Sequence, residues 1–151
     1  MNWRIEHKEA FEVFGMEKIF KNDELGNVPD FWEECAAEGS LADLNKQSVI
    51  YGIMGYCESG KNSVPYMICA RKENSCGADG YKTVQIPGFT WAVFRVDGLK
   101  DHGDGQCQIP LLFNRAYSEW LPSSGYEKAN GPDMEVYGTG FEEVWIPVVK
   151  K

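Results

Sequence analysis

Asp133-Met-Glu-Val-Tyr-Gly-Thr-Gly-Phe-Glu-Glu-Val-Trp-Ile-Pro147 is the stretch on which the fold turns. Two alternating runs flank Gly138-Thr139-Gly140, which reads as a three-residue hairpin loop with glycine at the left-handed positions. Such a loop pairs Tyr137 with Phe141, Val136 with Glu142, Glu135 with Glu143 and Met134 with Val144. Strand side chains alternate faces, so one face then carries Glu135, Tyr137, Phe141, Glu143 and Trp145. The other carries Met134, Val136, Val144 and Ile146, with Glu142 near the turn, and reads as core. Carboxylates opposed across a strand pair are destabilising. The first face therefore asks for open solvent, a shared proton or a cation.

Upstream, Phe11 to Phe20 alternates as a strand with a break at Gly15. Asn27 reads as an N-cap, followed by Pro29 and Asp30, and the helix runs to Glu38 and stops at Gly39. Its apolar stripe is Val28, Phe31, Trp32, Cys35 and Ala36. Ser48 to Cys57 and Val64 to Arg71 are strands joined by a polar loop at 58–63. The segment 73–80 lacks apolar period and is the best internal boundary. Strands follow at 81–87 and 90–96, the second pair beginning there, then a glycine- and aspartate-rich loop at 97–106. A second helix spans 108–121 with the stripe Ile109, Leu112, Phe113, Ala116, Tyr117 and Trp120. On these stripes Trp32, Tyr117 and Trp120 read as core.

Each half thus reads strand, helix, strand, strand, with matching elements about 80 residues apart. The expected class is α+β, as one domain over 1–151 with pseudo-repeats at about 1–72 and 80–151. Two βαββ units would form one curved antiparallel sheet with both helices on one face. A groove would lie between the halves, on the side opposite the helices.

With 151 residues and 43% hydrophobic content, the chain can bury a sizeable core. A formal net charge of −8 without any Lys/Arg cluster argues against direct nucleic-acid binding and favours cationic ligands or basic partners. Five cysteines, an odd count without CxxC, read as free thiols of a reducing compartment. The start has no apolar signal segment, and no run nears the roughly 20 apolar residues that span a bilayer. The expectation is a soluble, cytoplasmic protein. Gly55 to Asn62 nearly matches a phosphate-binding GxxxxGK[ST], but Asn62 replaces the hydroxyl and a strand follows instead of a helix. His7 and His102 have no metal-site spacing, and the acidic loop from Asp97 to Asp104 lacks calcium-loop spacing. No metal or cofactor is expected.

Several ordered stretches together resemble one family. They are Val13-Phe14-Gly15, Val64-Pro65-Tyr66, Ile86-Pro-Gly-Phe-Thr-Trp-Ala-Val-Phe94, Trp120-Leu-Pro-Ser-Ser-Gly-Tyr126, Glu135-Val-Tyr137 and Glu143-Val-Trp-Ile-Pro-Val148. The family is that of GyrI-like small-molecule-binding domains, also the effector-binding domain of AraC- and MerR-type regulators. The resemblance implies paired βαββ units with a ligand groove between them. Members sense ligands for attached DNA-binding helices, stand alone and bind toxins or DNA gyrase, or hydrolyse cyclopropane-containing toxins. No helix-turn-helix segment precedes residue 11, so a standalone sensor or sequestering protein is expected, with a separate regulator or gyrase as candidate partner.

Glu135 and Glu143 match last-strand acids that face the groove where the family binds cationic, aromatic drugs. The resemblance thus implies a ligand set of Glu135, Glu143, Tyr137, Trp145, Tyr51, Tyr66 and Trp91. Carboxylates would attract the cation and aromatic faces would add cation–π contact. The plainer alternative makes the carboxylates a solvated strand face and Tyr51, Tyr66 and Trp91 ordinary core. A hydrolase is the alternative chemistry, with Glu143 or Glu135 activating water and Tyr66 assisting proton transfer. A third is an acidic module that masks a basic partner surface.

Overall fold

Nine strands and two main helices form the described residues of the computed structural model, 2–44, 49–57, 62–72, 80–98 and 108–151. The strands are β1 (Asn2–Lys8), β2 (Phe11–Lys21), β3 (Ile50–Met54), β4 (Ser63–Arg71), β5 (Lys82–Ile86), β6 (Phe89–Asp97), β7 (Tyr126–Lys128), β8 (Asp133–Tyr137) and β9 (Phe141–Lys150). The helices are α1 (Val28–Glu38) with the short α2 (Ser40–Leu44), and α3 (Ile109–Arg115), which continues through a π-helical turn, Ala116–Trp120, into α4 (Leu121–Ser123). Among these, no helix is long and apolar enough to cross a membrane.

All pairings are antiparallel, and the strand order is β1-β6-β9-β8-β3-β4-β2-β5, with β7 beside the end of β9. Read outward from the β3/β8 seam, the order is β3-β4-β2-β5 on one side and β8-β9-β6-β1 on the other. The strand–helix–strand–strand units read from the sequence are therefore β2-α1-β3-β4 and β6-α3-β8-β9. Each unit is edged by the strand that precedes the other one: β1 pairs with β6, and β5 with β2. So β5 and β6 are not partners, contrary to the strand pair expected after residue 80. β1 carries no strand reading in the sequence because its seven residues hold only two apolar side chains, Trp3 and Ile5, among Arg4, Glu6 and Lys8.

α1 begins and ends where expected, with Gly39 in the left-handed conformation at φ 86°. Asn27 does not cap it by its side chain, because it closes a 3-10 turn, Asn22–Asn27. Of the stripe, Phe31 and Cys35 are buried, Val28 and Trp32 half-buried, and Ala36 exposed. The helix thus seats on the Phe31–Cys35 row of its stripe, and Val28 and Trp32 flank the core at its edge. The loops expected at 58–63, 73–80 and 97–106 lie largely outside the described residues, as do positions 58–61 of the phosphate-loop-like run and His102.

Two apolar clusters lie on one sheet face. α1 covers Phe14, Phe20, Ile50, Tyr66, Ile68 and Ala70, while α3 and its continuation cover Ala92, Phe94, Val144, Ile146 and Val148. The other face carries a third cluster, from Phe11 and Val13 to Trp91, Met134 and Trp145, with no helix in it. That face was expected to be an open groove; it is packed. Tyr51 meets Phe11 at 6.4 Å and Trp145 at 5.7 Å, and Trp145 meets Trp91 at 5.7 Å. Tyr51 therefore reaches strands that are next but one to its own. A single apolar sheet face avoids water in this way by closing on itself.

Candidate functional site

The hairpin that decides the fold takes a register one residue away from the expected one. Met134 pairs with Trp145, Glu135 with Val144, Val136 with Glu143 and Tyr137 with Glu142. Gly138 to Gly140 form the loop between β8 and β9, and the Gly138 N–H donates to the Phe141 carbonyl at 3.1 Å. Phe141 does not pair with Tyr137; its ring folds over Gly138, where a Cβ would lie 2.1 Å from a ring carbon. A one-residue slip carries every later side chain to the opposite face. Glu135 and Glu143 therefore do not oppose each other. They lie on opposite faces of the sheet.

Glu143 stands on the helix-free face with Trp145, and its relative exposure is 3%. It is directly opposite Arg95 in the β6–β9 register. Arg95 donates to its Oε2 at 2.9 Å, Arg4 donates to the same oxygen at 3.3 Å, and Trp145 Nε1 donates to Oε1 at 2.9 Å. The cation it calls for is built into the chain. Lys8 lies 4.7 Å above the Trp145 ring and pairs with Glu6. Tyr51 and Trp91 belong to the same packed face, and Trp91 is fully buried.

Glu135 lies on the helix face, at the seam between the two halves. Its strand neighbours on this face are Asp133 and Tyr137, and across the seam it pairs with Gly52. Tyr66 and Tyr137 both donate to Oε1, each at 2.8 Å. Trp32 Nε1 donates to the Tyr66 hydroxyl at 2.9 Å, and the Trp32 ring meets that of Tyr137 edge-on at 4.9 Å. From the other helical segment, Tyr117 donates to both oxygens of Asp133, and Lys128 pairs with the same carboxylate at 3.3 Å. Each helix thus reaches the seam with an aromatic ring. Glu142, expected near the turn, is buried below α3 and accepts the Gln108 N–H at 2.7 Å.

Glu135 is half-buried, and no cation forms an ion pair with it among the described residues. Burial pushes its carboxyl above the ordinary glutamate range, with Glu142 and Asp133 adding repulsion. The bonds from Tyr137 and Tyr66 act in the opposite direction. Burial drives the Tyr66 hydroxyl far above the usual phenol range, and ionisation of Glu135 would add to this. Tyr66 is therefore a fixed donor, not a base.

Of the expected ligand set, the fold brings together Glu135, Tyr66 and Tyr137 on one face, and Glu143, Trp145, Tyr51 and Trp91 on the other. Two residues of the Glu135 cluster were missed. Trp32 was read as core, yet it sits on the flanking row of its stripe. Gly52 leaves the space the cluster needs: a Cβ there would lie 2.3 Å from the Tyr66 hydroxyl and 2.6 Å from Glu135 Oε1. An isolated glycine inside a strand is the mark of such a close approach.

The chain matches the GyrI-like small molecule binding domain over residues 1–149. It has no match among the curated proteins. Among solved structures it is similar to SAV2435 bound to tetraphenylphosphonium, with a TM-score of 0.76 and 19% identity over 99% of this chain and 94% of that one. It is also similar to a bacterial transcription regulation protein from Staphylococcus aureus MU50, with a TM-score of 0.72 and 18% identity over 98% of each chain. The EcmrR C-terminal domain matches at a TM-score of 0.55 and 13% identity, over 99% of this chain and 98% of that one. At these identities the likeness is one of fold.

Proposed function

The chain belongs to the GyrI-like small-molecule-binding domain family, and from that premise we propose that it binds a cationic, aromatic ligand over the β3/β8 seam, at Glu135. One observation carries this reading. A half-buried carboxyl ringed by Trp32, Tyr66 and Tyr137 has no cationic partner among the described residues. Of the buried acids, Glu143 is compensated from within by Arg4 and Arg95, and Glu142 accepts the Gln108 backbone N–H below α3. Glu135, fenced by aromatic side chains at the seam, is where an external charge gains most. Aromatic faces add cation–π attraction of about 0.5–2 kcal/mol per ring once water is displaced. That SAV2435 was captured with tetraphenylphosphonium, a cation clothed in phenyl rings, supports the same ligand class here. Trp32 closes the cluster from the α1 side, so a ligand of that size enters by displacing this ring. The protein acts as a sensor or a sequestering protein for such compounds.

Calorimetric titration with tetraphenylphosphonium tests the reading. Affinity in the micromolar range, about −8 kcal/mol, is expected. Glu135→Gln should weaken it at least tenfold while leaving the affinity for neutral triphenylphosphine oxide within about twofold. Equal loss for both ligands, or none for either, sinks the cation site. Glu143→Gln should leave the tetraphenylphosphonium affinity within about twofold, because its charge is already matched.

The hydrolase alternative, with Glu143 or Glu135 activating water and Tyr66 assisting, loses only Glu143, which lies on the face opposite Tyr66. What it retains is the Tyr66–Glu135 contact, in which the tyrosine donates.

A further inference from the structure

The carboxyl of Glu135 is held unevenly. Both tyrosine hydroxyls go to Oε1. Among the described residues, Oε2 accepts no hydrogen bond and meets no cation. Nor is it sealed, for the sole buried side-chain nitrogen or oxygen without a partner among the described residues is Trp91 Nε1. Oε2 is thus the open oxygen of a carboxyl that is otherwise fenced.

The acids nearest it oppose a negative charge, against the two tyrosine bonds, which favour one. Glu142 bears on it from β9 and Asp133 from β8, both acidic. Lys128 and Tyr117 are committed to Asp133. Tyr66 from β4 and Tyr137 from β8 are neutral donors, α1 contributes Trp32, and β3 contributes only Gly52. Two protein donors on Oε1 and none on Oε2 leave the carboxyl able to hold hydrogen on the second oxygen. Oε1 then serves as the carbonyl-type acceptor and Oε2 carries hydrogen. Burial, the leading cause of the upward shift at Glu135, acts in the same sense.

We propose that Oε2 of ligand-free Glu135 carries a proton, and that a permanent cation occupies the site by exchange, releasing one proton for each cation bound. This rests on the binding reading above and adds its currency. The Oε2–H bond breaks, the proton passes to buffer, and the ligand's positive charge takes its place. The tyrosine bonds at Oε1 are unchanged. Quaternary phosphonium and ammonium compounds therefore compete with protons at this site. Their affinity rises tenfold per pH unit below the carboxyl's midpoint and levels off above it. Neutral ligands of the same shape show no such slope.

The test is calorimetry of tetraphenylphosphonium binding, in buffers of high and low ionisation enthalpy, from about pH 5 to about pH 9. The heat difference counts protons. Close to one proton should be released at the acid end and none at the alkaline end. Glu135→Gln, checked for folding by its melting curve, should release none. Binding without proton release across the range overturns the exchange and leaves the binding function standing. Failure to bind tetraphenylphosphonium at all overturns both. A carboxyl ¹³C titration of the ligand-free protein decides the protonation independently. A Glu135 midpoint in the ordinary glutamate range overturns the exchange whatever the ligand does.

Discussion

Gly52 and Tyr66 show how narrowly the Glu135 cluster is made. A methyl group at 52 would sit 2.3 Å from the Tyr66 hydroxyl, far inside contact distance. Gly52→Ala should therefore push Tyr66 from Glu135 and cost about 1–3 kcal/mol of stability, read as a lower urea midpoint. The same variant should weaken tetraphenylphosphonium binding, because the carboxyl loses a positioning donor. On the opposite face Glu143 makes the contrasting case. Breaking a wholly buried ion pair costs about 3–5 kcal/mol, but Arg4 and Arg95 keep 46% and 30% of their side chains exposed and can rehydrate. Glu143→Gln should cost about 2 kcal/mol by denaturant unfolding. That the two glutamates differ so much was not legible in Glu135-Val-Tyr137 and Glu143-Val-Trp145. Each is an acid two places before an aromatic ring on a strand.

At the scale of the element, the β8–β9 hairpin explains why. Alternation showed two strands and a glycine turn at the right place. It could not say whether Phe141, the first residue of the return strand, pairs with Tyr137. The answer lies in a tertiary contact, the Phe141 ring lying over Gly138, with Arg95 4.0 Å above the ring. Gly138→Ala should expel that ring, and a loss of about 1–3 kcal/mol by thermal or urea unfolding is expected. The helices were more legible, because a 3.6-residue stripe survives errors of a residue at either end. What α1 hid was the second use of its flanking row: Trp32, half-buried at the edge of the core, also reaches Tyr66 and Tyr137 at the seam. β1 was hidden because an edge strand carrying Arg4, Glu6 and Lys8 on one face resembles a polar tail.

For the whole molecule, the titratable groups pull stability in two directions. The carboxyls of Glu6 and Glu17 lie below the ordinary range. For Glu6 the Lys8 hydrogen bond leads; for Glu17 the bonds from Tyr56 and Lys82 outweigh burial. Their contribution is present above the ordinary glutamate range and is lost as pH falls through their lowered values. Glu135 is raised, so its contribution is complete below the ordinary range and is lost as pH rises through its elevated value. Melting temperatures of the ligand-free protein should thus pass through a maximum. Glu135→Gln should flatten the alkaline side of that curve and leave the acid side in place.

The two helices and the hairpins that follow them, about 80 residues apart, were legible at this scale. The exchange of β1 and β5 between the halves was not, because strand partners far apart in sequence leave no local pattern. Nor was the closed state of the helix-free face, which depends on how strongly the sheet coils.

Gly52 and Glu135 are each the third residue of a five-residue strand, in matching places of the two units, and they pair with each other. A fold made twice over would ordinarily offer two equal seats. Here the equivalent positions share a single location, one donating the carboxyl and the other only room. Saturation should come at one tetraphenylphosphonium per chain, and the doubled architecture is, for its ligand, strictly one-sided.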